Sequence, residues 1–392
     1  VIDGLTTGVI TATLDAGAAS TYSGLTGTGN AYTVTVSDAD ADAVTATALS
    51  TLGGKTTGVV TVTNAIEVTG TTAQLTAALV TANTLVVVSD AVATISDADA
   101  ASVAATALSA IGAKTTGVVT VTNAVNVTGT TAALTAALVT ADTLVVVSDA
   151  VATISDSAGT SIAATALSLI GGKTSGVVTV SNAIALSGTN TELTAALVTS
   201  GSLVVAGTSV VTISDSASTS IAATVLSAIG GKTSGAVTAT NAIVVTGTQA
   251  ELTAALVTSA TLVVAATATG TISDAAGVNI NAEDLSAIGA STSGAVTVTN
   301  AIDIFGTVVQ STAAMVTSAS KVIAASATVT LDDAASVAEA NAIDAVTTGV
   351  ITGALDTGAI ASFSGLTGTA NVYTIIVSDV ATVAQANTLD AK

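Results

Sequence analysis

The sequence contains no cysteine, histidine, proline, arginine or tryptophan, and its only aromatic residues are three tyrosines and two phenylalanines in 392 positions. Each absence excludes something. Without histidine or cysteine there is no imidazole base, no Ser-His-Asp triad, no thiolate nucleophile, and no zinc or haem site of the usual kinds. The absence of such a constellation argues against an enzyme. Six lysines stand against 26 acidic residues, a net charge of −20. No basic surface can then neutralise phosphates, which argues against a nucleic-acid partner. Thr, Ser, Asn or Asp interrupts every apolar stretch well short of the roughly 18 residues a membrane span requires. Half the residues are apolar and mean hydropathy is +0.82, whereas disorder goes with low hydrophobicity. What is present is mostly Ala, Val, Thr, Ser and Gly.

These residues recur. The loop Gly53-Gly54-Lys55-Thr56-Thr57-Gly58 returns around Lys114, Lys173 and Lys232, and with serine at Ser291, at a constant spacing of 59 residues. An aspartate column (Asp38, Asp97, Asp156, Asp215, Asp274, Asp333) and an asparagine column (Asn64, Asn123, Asn182, Asn241, Asn300) keep the same period. A longer period lies above this one. Thr6-Thr7-Gly8-Val9-Ile10, Tyr22, Tyr32 and Ser37-Asp38 return 341 residues later as Thr347-Thr348-Gly349-Val350-Ile351, Phe363, Tyr373 and Ser378-Asp379. The expected organisation is an opening unit 1–55, four 59-residue repeats over 56–291, a divergent repeat 292–346, and a returning copy of the opening unit over 347–392, in one continuous solenoid. The two ends share a phase, since Ala386 to Lys392 resembles the Ala340 to Val346 that leads into Thr347. This suggests a window from a longer repetitive protein, or a subunit whose ends meet.

Each repeat divides again. β-Branched runs of period two, such as Val59 to Thr63 and Leu85 to Ser89, predict strands. Ala-rich runs with leucines at helical spacing predict helices, so both halves read strand, corner, strand, helix. The fold class expected is an α/β or mainly-β repeat solenoid, with parallel ladders and short Ala-rich helices. Coils of about 27 to 32 residues, two per repeat, would bury apolar surface only against their neighbours. Proline would interrupt both ladders and helices, which suits its absence.

The aspartate column falls at a strand end before a helix, where a carboxylate caps helix N–H groups. Its other reading is calcium: Asp38, Asp40 and Asp42 place carboxylates on alternate positions, as does Asp97-Ala98-Asp99. No bidentate Glu follows at a fixed offset, however, and later copies thin to Asp156-Ser157-Ala158. The corner Ser89-Asp90 decays to Gly207-Thr208 and Ala266-Thr267, as a turn would and a ligand would not. The asparagines suit corners that visit left-handed conformations, with stacked amides adding a ladder. Gly54-Lys55-Thr56 lacks the earlier glycine of a phosphate loop and reads as a helix C-cap, its lysine facing the negative dipole end. The alternation Thr61-Val62-Thr63 is like the threonine arrays of ice-binding solenoids, but half-exposed strands account for it.

On its Ser-Asp-Ala, Thr-Asn-Ala-Ile and Gly-Lys-Thr-Thr-Gly repeats and its Ala, Thr, Val, Gly and Asp content, the chain resembles the repeat arrays of giant secreted bacterial surface proteins of surface-layer, fibre and adhesin type, cyanobacterial ones among them. The resemblance implies an exported structural protein whose partner is itself, as a segment or subunit of an extracellular filament, sheath or surface layer joined head-to-tail. The alternatives are a calcium-stiffened adhesin stalk and, more remotely, an ice-binding or polysaccharide-active solenoid. No cofactor other than calcium is implied.

Overall fold

The computed structural model describes residues 6–81, 83, 86–140, 145–202, 204–319 and 322–390. The chain forms two compact units, one of Val1–Ala185 with Ala195–Thr208, the other of Leu186–Thr194 with Ser209–Lys392. Both are built from stacked coils, giving a repeated parallel α/β solenoid, with six sheets of four or five strands among the described residues, alternating with short helices. Among the described residues no helix is long and apolar enough to cross a membrane.

One repeat of the first unit shows the scheme. Its first half lays down the strand Val60–Val62, turns a corner, and lays Glu67–Gly70 in the neighbouring sheet. A helical segment follows, α-helical over Thr72–Leu75 and π-helical over Thr76–Val80. The second half adds Val86–Val88 and Val92–Ile95 to the same two sheets, then a third strand, Ser102–Ala104, before the helix Ala105–Gly112. The expected order of strand, corner, strand, helix therefore holds for the first half only. Three residues are too few to show a period of two, and Ser102–Ala104 is held in strand geometry by its register with Asn126–Thr128.

That third strand founds a new sheet. In the next coil the first strand, Val119–Val121, lies on Val92–Ile95, and the second, Asn126–Gly129, lies on Ser102–Ala104. Stacked residues are 24 to 26 positions apart, as Ala43↔Glu67, Glu67↔Val92 and Ala93↔Val119 show. The remaining residues of each repeat carry the chain sideways by one strand. A sheet thus collects one third strand, two second strands and two first strands. The sheet Ser102–Ala104, Asn126–Gly129, Val151–Ile154, Val178–Val180, Val204–Val205 is the result. Its inward rank, Val103, Val127, Ala152, Val178 and Val204, is buried throughout. Leu108 and Ile111 of one helix and Leu134 of the next are fully buried against this wall. A layer this thin is filled by Val, Ala, Leu and Ile, which explains the rarity of rings.

The second unit repeats the scheme in the sheet Ser220–Ala222, Val244–Gly247, Thr269–Ile272, Val296–Val298, Val322–Ile323, and ends with Asn279–Asn281, Asp303–Gly306, Thr328–Ala335, Ile351–Leu355, Val372–Thr374. The opening unit and its returning copy differ from the rest. Their stacked strands are only 20 residues apart, Thr11↔Ala31 and Thr352↔Val372, and the helix is a 3-10 segment, Ala19–Gly24 or Ile360–Gly365. Four of the five aromatics lie in these two units. Phe363 is buried, and buried Tyr22 donates its hydroxyl to the carbonyls of Asp15 and Thr35 at 2.6 and 2.7 Å.

Candidate functional site

The polar columns are where the chemistry of this chain is concentrated, and the structure directs each of them from one coil to the next. The carboxylate of Asp97 accepts from the backbone N–H and the hydroxyl of Thr72, at 2.7 and 2.6 Å. Asp156 does the same with Thr131, Asp215 with the N–H and side-chain amide of Asn190, and Asp274 with the N–H of Gln249. Asp38, Asp333 and Asp379 accept from Ala19, Val308 and Ile360. Each of these donors is the first residue of a helix lying about one coil earlier. The column therefore caps the preceding helix, not the one that follows it in sequence. After Asp97 the helix that follows in sequence, Ala105–Gly112, starts only beyond the third strand.

Several of these N-termini, and that of the helix Val337–Asp344, carry a local cap. Thr71 accepts from Gln74 N–H while the Gln74 side chain accepts from Thr71 N–H, and Thr189 with Glu192, Thr248 with Glu251, Thr307 with Gln310 and Ser336 with Glu339 repeat the arrangement. The cue, Thr or Ser with Gln or Glu three residues later, is present in the sequence. Hydrogen bonds from Ser336 hold the Glu339 carboxyl below the usual carboxylate range.

The asparagines extend the same chain of bonds. The side-chain amide of Asn123 donates to the carbonyl of Asp97 at 2.6 Å, and Asn64, Asn182, Asn241 and Asn300 donate likewise to Asp38, Asp156, Asp215 and Asp274. The asparagine amides therefore do not stack on one another, because successive members are a whole repeat apart. Nor do they occupy left-handed backbone. Among the described residues that conformation falls on Ala41, Ala100, Gly159, Ser218 and Gly277, with φ from 60° to 78°. Their N–H groups reach the carbonyls of Ala65, Ala124, Ala183, Ala242 and Ala301 one coil on.

The structure does not bring Asp38, Asp40 and Asp42 together as a calcium loop. Asp38 faces Ala19 N–H, Asp40 faces Ala65 N–H at 3.1 Å, and Asp42 faces Ala39 N–H at 3.0 Å. Three carboxylates on three separate amides share no common centre, and among the described residues no three acidic side chains could hold one metal ion.

The glycine-lysine loop is a clamp. Thr56 is buried, and its hydroxyl donates to the Tyr32 carbonyl while accepting from Gly58 N–H. Thr115, Thr174 and Thr292 bond in the same way to the carbonyls of Ala91, Ala150 and Ala268. A Cβ at Gly58, Gly117, Gly176 or Gly294 would overlap that same carbonyl. Close approach, then, is what requires glycine here. The preceding Gly54 is the C-cap of its helix, as the sequence suggested, but at φ −72°, a right-handed geometry that does not require glycine. That place is accordingly filled by Ala113 in the next repeat. At the Ser89-Asp90 corner the bonded atom is a carbonyl: Ser89, Ser148 and Ala266 accept from the N–H groups of Thr116, Ser175 and Ser293. Any side chain serves there.

Thr63, Thr122, Ser181, Thr240 and Thr299 donate hydroxyls to the carbonyls of Val36, Ile95, Ile154, Ile213 and Ile272. Ser181, which interrupts the threonine pattern in sequence, performs the same bond. On the outer face Thr45, Thr69, Thr94 and Thr120 stand in one rank across successive strands.

The arrangement binds coil to coil through these polar columns. No protein-family model matches the chain, and no curated protein is found to be similar to it.

Proposed function

We propose that the chain is a structural array: a segment or subunit of an exported bacterial filament, sheath or surface layer that acts by stacking, with itself as partner and without catalysis. The observation that supports this reading is the direction of the polar bonds. Asp97, Asn123 and Thr115 point along the stack to backbone atoms of neighbouring coils, so each coil is tied on both sides and none is a free-standing site. Repeats of this kind gain stability from neighbour interfaces, which favours long arrays over isolated modules. The composition fits an exported surface material, because a thiol-free, acidic chain has no redox-sensitive residue but its one methionine. The test is low-dose imaging of the concentrated full chain beside sedimentation. Filaments or sheets with a regular axial repeat are expected. A single small species at every concentration would sink the proposal.

A further inference from the structure

We infer that the joint between two copies is templated inside the chain itself, by the way the returning unit 347–379 sits on the coil before it. This deepens the structural reading above and rests on it. The sequence carries two relations that meet at this point. Residues 6–38 match 347–379 at an offset of 341, and residues 374–392 match 328–346 at an offset of 46, with Val383-Ala384-Gln385-Ala386-Asn387 standing for Val337-Ala338-Glu339-Ala340-Asn341. The segment that receives the next unit inside the chain is thus repeated at the far end of the second unit. The segment that docks there is repeated at the start of the first.

The internal joint is fully described. Thr328–Ala335 pairs in parallel with Ile351–Leu355, Val329 beside Ile351 and Ala335 beside Leu355. Ala335, Ala340 and Ile343 are buried on the receiving side, and Ile351, Leu355 and Leu366 on the docking side. Asn341 of the helix Val337–Asp344 donates to the Gly365 carbonyl at 2.8 Å and accepts from Thr367 N–H at 3.0 Å. The Thr347 hydroxyl reaches the Ala327 carbonyl, and a Cβ on Gly349 would overlap that carbonyl.

The repeated halves of this joint lie open. Ala381 and Ala386 are exposed and Leu389 is half-exposed, where Ala335, Ala340 and Ile343 are covered. Val380, ahead of the helix Val383–Asp390, is 96% exposed, and Val383 is 78% exposed on that helix, which has no buried residue. On the other side Thr6 and Gly8 are exposed, and Ile10, Leu14 and Leu25 are half-exposed. Among the described residues a Cβ on Gly8 would meet only its neighbour Thr6, at 3.4 Å, so nothing in them requires glycine there. Its counterpart Gly349 is required by the coil beneath it. A glycine with no reason in one copy acquires one from a second.

The occupant is therefore a second copy of this chain. Its Thr6–Leu14 edge lies on the Asn371–Ala381 edge as Thr347–Leu355 lies on Ala325–Ala335. Ile10 falls beside Ile375, Gly8 lies against the Tyr373 carbonyl, and Asn387 bonds to Gly24 and Thr26. Residues 1–5 of the incoming copy match 388–392 in sequence, Ile2-Asp3 for Leu389-Asp390, so the joint needs only one of these segments.

The chain has no cysteine, which makes cross-linking a clean test. Inside the chain a Cβ on Gly365 would stand 3.6 Å from Cγ1 of Val337, and the corresponding pair across the joint is Gly24 and Val383. Full-length chain carrying Gly24→Cys and Val383→Cys together should give a ladder of oxidised multimers on a non-reducing gel, and each single variant no more than dimers. Gly8→Val and Leu389→Asp, which disturb nothing buried in the free chain, should keep the circular dichroism of the parent and lose assembly. If the parent assembles while Gly8→Val assembles equally and the double-cysteine chain stays unlinked, the joint is wrong and the structural reading survives. A parent that remains single at every concentration overturns both.

Discussion

The carboxylate of Asp97 lies 2.7 Å from the backbone nitrogen of Thr72, although a whole coil of chain separates them. The bond places a negative charge on the N-terminus of the 72–80 helical segment, where free N–H groups and the helix dipole favour it. Asn123 then holds the Asp97 carbonyl from the far side. Three successive coils are joined through one residue.

Asp97→Ala is expected to cost about 1–2 kcal/mol, the loss of a helix cap, and to raise amide hydrogen exchange over 72–80 rather than over 105–112. Asn123→Ala should cost about 1 kcal/mol. Because Asp97→Ala keeps the backbone carbonyl that Asn123 holds, the two losses are distinct and should be close to additive in the double variant. Protection that drops first in 105–112 would show that the cap belongs to the following helix after all.

The left-handed column offers a two-way comparison. Ala100 holds φ 60° with a Cβ, while Gly159 holds φ 78° at the matching place one repeat later. Ala100→Gly should therefore stabilise by up to about 1 kcal/mol and Gly159→Ala destabilise by about 1–2 kcal/mol. Thermal melts of the pair, side by side, decide it, and shifts of the same sign would be incompatible with the geometry.

Removing the Thr115 hydroxyl leaves the Ala91 carbonyl and Gly117 N–H without their shared partner in a buried place. Thr115→Val is expected to cost about 1–3 kcal/mol, the penalty for unmet buried polar groups. Thr115→Ser should recover most of it in urea titrations, since only a methyl group is lost.

The phenol of Tyr373 is pushed up to about 12, first by burial and then by the nearby Asp344 carboxylate, and Tyr22 is raised above 10.0 mainly by burial. Raised pKa values mean that the fold favours the neutral phenols. Their contribution to stability is complete below pH 10 and is lost as pH climbs through the folded-state values. Ultraviolet titration should therefore show Tyr373 ionising near pH 12, and Tyr373→Phe should flatten the alkaline fall in melting temperature. A titration in which Tyr22 and Tyr373 ionise together at 10 would contradict this.

Much of this was legible in the residues. The 59-residue period, the parallel ladders and the Ala-rich helices follow from Val-Thr-Val alternation and from Leu108 and Ile111 at helical spacing. The third strand was not legible, because Ser102–Ala104 is a strand only through its partners. Nor was the direction of the caps: Asp97 is adjacent in sequence to one helix and adjacent in space to another. The left-handed turn escaped notice because alanine and serine fill it in three of five copies, hiding the glycine that marks such a position. Asp38, Asp40 and Asp42 illustrate the converse. Alternate carboxylates look like a ligand set until their amide partners, supplied by other coils, are known.

The sideways step of one strand per repeat sets a ceiling that composition alone would not. On composition alone a Val- and Thr-rich chain stacked in parallel would be expected to behave as an amyloid template, its hydrogen-bonded ribbon lengthening with every added copy. Here a ribbon closes after five strands and a fresh one opens beside it. Adding repeats opens fresh ribbons instead of lengthening old ones, and at the proposed joint the five-stranded ribbon that ends in Val372–Thr374 would gain only the four strands that begin with Thr11–Thr13, so growth of the molecule and growth of any one ribbon are kept apart by geometry.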